Sequence, residues 1–156
     1  HKQYEYAILI LKKFLEEPDG WIENKLNSCL VLSCCYQAMG ENAAAFNILF
    51  YSFTMDVPRA EICCEIGRLF MEKREYVTAA YWYQQALLAP RKKKNGGFYI
   101  ADSHDFIPAI QMCVCLDKAG RHREAFEFHK KARVLKPLHQ AVIGNEKYFW
   151  DVWGME

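Results

Sequence analysis

Three small residues frame this chain of 156 residues: Ala45, Ala79 and Ala125. Each sits in a helix-favouring run that follows a glycine or a stand-in for one. Ala45 and Ala79 are 34 positions apart (79 − 45), and Ala125 follows after 46 (125 − 79), one period plus 12 residues. A fixed period of this length means a helical hairpin repeated along the chain. One hairpin cannot bury its own apolar face, so successive hairpins must stack into an array. The stop signals agree. Pro18-Asp19-Gly20, Gly40, Pro58, Pro90, Gly120 and Pro137 divide the chain into helices at about 4–17, 22–39, 42–55, 60–73, 76–88, 106–119, 123–135 and 140–153. No stretch alternates with period two for long enough to be a strand.

Places within the hairpin carry the same message. The first helix needs large residues at its fourth, seventh and eleventh places and a small one at its eighth, so that two helices approach closely. The middle repeat supplies Cys63, Ile66, Gly67 and Phe70, then Ala79, Tyr83 and Ala86. The first supplies Cys29, Leu32, Ser33 and Tyr36, then Ala45, Leu49 and Ser52; the third supplies Ala109, Met112, Cys113 and Leu116, then Ala125, His129 and Ala132. The expected fold is all-α: a tetratricopeptide-like array of three hairpins (22–57, 60–90 and 106–137) in a single domain, 1–156. An extra N-terminal helix precedes them, and a capping helix at 140–153 follows. The 12 extra residues fall in an insertion at 91–105, and loops this long in compact arrays are often functional.

Composition excludes several classes of function. The formal charge is +1, so no global field favours nucleic acid or an anionic membrane. Apolar runs near the start are far too short for a membrane span or signal segment. The seven cysteines lie in predicted helices with neither zinc nor disulfide spacing, and read as small buried residues of a reducing, cytoplasmic compartment. The helix at 4–17 is apolar on too many sides to be solvated, which predicts a covering segment upstream of His1. Asp102, His104 and Asp105 read as turn and capping residues, and His129 as a core histidine. No metal or cofactor is expected. Catalytic motifs are missing too: Gly96-Gly97 leads to no phosphate loop, and there is no Gly-x-Ser-x-Gly or His-Glu-x-x-His. Glu61, Glu65 and Glu72 read as a wet helix stripe rather than an acid–base pair.

Longer stretches carry a family resemblance. They are Pro58-Arg59-Ala60-Glu61-Ile62-Cys63-Cys64-Glu65-Ile66-Gly67, Ala80-Tyr81-Trp82-Tyr83, Gly97-Phe98, the run from Phe106-Ile107-Pro108-Ala109 to Cys115, and Asn145-Glu146-Lys147-Tyr148-Phe149. Together they resemble the C-terminal helical-repeat region of bacterial family-2 glycosyltransferases, over about 58–149. The catalytic head of that family carries an Asp-x-Asp metal motif, which occurs nowhere in this chain. The resemblance therefore implies a non-catalytic accessory module that dimerises the enzyme or presents its acceptor. Its implied partners are its own catalytic domain, a second subunit in a homodimer, or the acceptor.

Candidate binding residues follow from the inward-facing places of each first helix. They are Asn27, Glu61, Glu65, Arg68, Gln111 and Asp117. Chaperone-binding repeats grip a peptide carboxylate with Lys, Asn and Arg at the clamp places, where this chain has Leu30, Cys34, Glu65, Ile107 and Gln111. A carboxylate clamp is excluded, and a mixed apolar and acidic groove suits a helix or a basic peptide. The chain's own first or last helix is an alternative occupant. Arg91, Lys92, Phe98 and Tyr99 in the insertion, and Trp150 and Trp153 near the end, are candidates for an interface. Two other functional classes stand beside the accessory module: a free-standing peptide-binding adaptor, and a small enzyme built on the insertion.

Overall fold

The computed structural model describes residues 1–91, 97 and 99–156. Among them are eight α-helices: α1 (Lys2–Glu16), α2 (Ile22–Ala38), α3 (Asn42–Tyr51), α4 (Ala60–Glu72), α5 (Tyr76–Leu88), α6 (Phe106–Lys118), α7 (His122–Leu135) and α8 (Gln140–Trp153). The pairs α2/α3, α4/α5 and α6/α7 are stacked hairpins, with α1 packed on α2 and α8 on α7. α3 stops sooner than Pro58 implies. The ladder tightens into a 3-10 turn at Ser52–Thr54, where the Ser52 hydroxyl donates to the Leu49 carbonyl at 2.6 Å.

Close approach explains the small residues. Ala45, Ala79 and Ala125 have no exposed surface at all. A Cβ on Gly67 would come within 2.9–3.1 Å of the Tyr83 ring, so only glycine lets α4 lie against α5 at that point. Each first helix also ends alike. Gly40, Arg74 and Gly120 have φ of 78°, 59° and 80°. Each donates its N–H to the carbonyl three residues back, and the next residue donates to the carbonyl five back. This satisfies the last carbonyls of the helix, and the left-handed residue it requires is normally glycine. Arg74 lies 34 positions after Gly40 (74 − 40) and is the stand-in.

The two seams between hairpins differ in kind. Small residues build the seam between the second and third, with Ala60, Cys63, Cys64, Ala79, Cys113 and Cys115 in one cluster around Tyr83. The first seam has an aliphatic core of Ala45, Leu49, Ile62, Ile66 and Leu69, bordered by partly buried aromatic rings. Phe46 meets Phe70 at 4.8 Å between ring centres, and Phe50 and Phe53 meet Trp82 at 5.6 and 5.9 Å. A buried ion pair crosses the same seam: Arg59 donates to both oxygens of Glu23, at 3.1 and 2.7 Å, and to Asp56.

Six of the seven cysteines are buried as expected, but Cys34 is exposed. Burial pushes the Cys29 thiol up to about 11 and those of Cys63, Cys113 and Cys115 to about 12, so they stay protonated and unreactive at neutral pH. His129 is a core histidine, fully buried beside Phe126 and Phe149.

Candidate functional site

The concave face is laid down by α2, α4 and α6, the first helices of the hairpins. Its middle is tied together from side to side. Gln37 on α2 donates to Glu65 on α4 at 3.0 Å and accepts from Arg68. Arg68 also grips Glu65, at 2.9 and 2.6 Å, and pairs with Glu72. Glu65 is the main reason that the Arg68 guanidinium is held above its ordinary range. Two candidates, Glu65 and Arg68, are thus brought together and neutralise one another. Within the mixed apolar and acidic groove expected from the sequence, Glu65 and Glu72 are both paired with Arg68.

Glu61 departs furthest from the expected wet stripe. It is buried, and it accepts the backbone N–H of Ile100 at 2.7 Å. The described end of the insertion lies over this part of α4. The Cys64 thiol donates to the Ser103 carbonyl at 3.4 Å, and His104 is buried with Nε2 3.6 Å from Glu61. Tyr99 stacks on His104 with ring centres 4.7 Å apart. Gly97 lies so close to Glu23 that a Cβ would come within 2.9–3.0 Å of that side chain. The part of the face near Glu61 is therefore covered by the described end of the insertion, not by the first or last helix.

Arg91 closes the insertion by reaching Asp105 at 3.0 Å and the His104 carbonyl at 3.4 Å. Asp105 caps α6 by accepting from Phe106 N–H, and Asp102 pairs with Lys136. The carboxylates are turn and capping groups as expected, whereas His104 is a packing residue. Lys92 and Phe98 lie outside the described residues.

At the other end, Asp117 is engaged by His122 at 2.7 Å and by the Tyr148 hydroxyl at 2.8 Å. Trp153 stacks on His122 at 3.9 Å and donates to Tyr148 at 3.2 Å. Trp153 thus braces α8 against α7, and both it and Trp150 keep exposed surface. Asn27 is exposed and Gln111 half-buried. A pocket of about 190 Å³ between α6 and α8 is lined by Cys113, Val114, Asp117, Lys118, Asn145 and Tyr148.

No family model matches the chain, and no curated protein matches it. The fold matches that of MamA. A crystal structure of MamA is 23% identical and aligns over 86% of this chain and 69% of its own, with a TM-score of 0.62. The structure described as MamA AMB-1 is 18% identical over 98% of this chain and 75% of its own, at 0.68. MamA MSR-1 is 19% identical over 98% and 79%, at 0.66. At such identities the likeness establishes a tetratricopeptide-like architecture, and none of the three links the chain to glycosyltransferases. Among the described residues no helix is long and apolar enough to cross a membrane, and no group of three or more His, Cys, Asp or Glu is placed to hold a metal ion.

Sequence reasoning missed the buried Glu23–Arg59 pair. Its signal was weak: an acidic residue one turn before Asn27 and an arginine directly after Pro58.

Proposed function

We propose that the chain is a non-catalytic protein-interaction module, a tetratricopeptide-type adaptor that holds an amphipathic helix of a partner protein. The observation that carries this is the state of the concave face. Glu61 on it is covered, Glu65 and Arg68 pair with each other, and Asp117 is held by His122 and Tyr148. Leu30, Cys34, Met71 and Val114 stay accessible, flanked by the amides of Gln37 and Gln111 and by the exposed Lys118. Apolar floors with a few amide hydrogen-bonding groups suit a helix lying in a groove.

Selection of helical peptides from a random library tests this reading. Selected peptides should lose at least about tenfold in affinity on Val114→Glu, which charges the groove. They should keep it on Tyr81→Ala, where an exposed tyrosine of a second helix is removed. Peptides indifferent to Val114→Glu would overturn the assignment. A second reading, as the accessory module of a family-2 glycosyltransferase, rests on the residues from Pro58 to Phe149 that resemble that group. It requires a nucleotide-sugar-binding head in the same polypeptide or complex. Its test is whether deleting this module abolishes the head's dimerisation or acceptor use.

A further inference from the structure

Both ends of the array leave apolar side chains exposed. At the far end, α8 turns Val142 and Phe149 inward but leaves Ile143, Trp150 and Val152 exposed. At the near end, α1 packs Ile8, Leu11 and Leu15 against the first hairpin. The opposite side of α1 leaves Tyr6 67%, Leu9 53% and Ile10 48% exposed. Beside them lie Lys2, Lys13 and Glu16, which have no ion-pair partner among the described residues.

Charge and spacing on this face are self-complementary. Lys2, Leu9 and Glu16 are seven residues apart, so they form one line along the helix with a drift of about 20° per step. Lys2 and Glu16 are each about 10.5 Å from Leu9 along the axis, on opposite sides of it. A two-fold axis through Leu9 therefore brings Lys2 against Glu16 of a second copy, twice, and packs Leu9 on Leu9. Tyr6 falls near Lys13 of the second copy, within range of a cation–π contact. A parallel pair would instead set like charges together, lysine on lysine and glutamate on glutamate.

We infer that α1 is a homodimerisation surface, pairing antiparallel with α1 of a second copy of this chain. An isologous contact of this kind is the usual way two identical chains meet. One helix face is a small interface, so the dimer is concentration-dependent. The inference is independent of what the groove binds.

Sedimentation velocity from about 5 to about 500 μM tests it. The wild-type chain should shift from monomer to dimer. Leu9→Glu should be monomeric throughout, because it places two carboxylates on the axis. Lys2→Glu and Glu16→Lys should each weaken dimerisation about tenfold, through two lost pairs and two repulsions. The double exchange should restore wild-type affinity. Both exchanges favour the helix dipole, so helicity by circular dichroism should hold. A monomeric wild type, a dimer insensitive to Leu9→Glu, or a double exchange no better than the singles would each overturn the inference. The first result is also the one expected if another segment or partner covers α1.

Discussion

At the scale of single residues, two positions work against the fold that surrounds them. Arg74 adopts the left-handed conformation that Gly40 and Gly120 supply without strain. Arg74→Gly should therefore stabilise the chain by about 0.5–1 kcal/mol, less whatever the added freedom of the unfolded chain removes. Thermal melting would check it. His129 is fully buried, and neither ring nitrogen has a hydrogen-bond partner. Burial holds it below the ordinary histidine range; Glu146 works against that shift and Arg133 with it, and these two pair at 2.7 Å. The folded state thus resists a proton that the unfolded state accepts. Its contribution to stability is complete above about pH 6.5 and declines as pH falls below that value. His129→Leu copies Leu49 at the same place in the first repeat. It should add about 1–2 kcal/mol and flatten the pH dependence between 7.5 and 5.5 in urea melts relative to wild type. A variant with an unchanged slope would show that other groups set it.

Elements explain why the fold was legible and the site was not. Helix starts and stops are local: the prolines, the left-handed glycines and the 3.6 period can be read without knowing what packs on what. Even Arg74 is legible, because the period places it opposite Gly40 and Gly120. The insertion is another matter. That Glu61 is a floor residue beneath residues 99–104, rather than a solvated carboxylate, depends on where a chain 39 residues further on comes to rest. Nothing within one helix turn encodes that. Likewise Asp117 was placed correctly on its helix, but its engagement by Tyr148 is 31 residues distant. The tether on Ile100 makes a sharp prediction. Glu61→Leu removes the acceptor of its N–H, so amide exchange at Ile100 should quicken at least about tenfold, while Glu61→Gln keeps an acceptor and much of the protection. Exchange in α5 should stay the same in both. Equal protection at Ile100 in all three chains would mean that the insertion is held by its other ties, at Cys64 and Arg91.

For the whole molecule, the contrast between the seams decides how it comes apart. In a stacked array each hairpin depends chiefly on its neighbours, so a weakened seam divides the molecule in two. The seam between the second and third hairpins spreads its burial over many small residues around Tyr83. The first seam buries Leu49, Ile62, Ile66 and Leu69 and borders them with partly buried rings, Trp82 meeting both Phe50 and Phe53. Its polar tie, Arg59 with Glu23, is buried, and such a pair is costly to break but adds little beyond replacing it with apolar residues. Trp82→Ala should therefore cost about 3–5 kcal/mol, and the loss should not be uniform. Hydrogen exchange should show α2 and α3 losing protection first, while α6 and α7 keep most of theirs. Ala79→Leu, which overpacks the other cluster, should lower protection across both the second and third hairpins. If Trp82→Ala loosened every helix equally, the chain would be one cooperative unit, and the first seam would be no weaker a joint than the other.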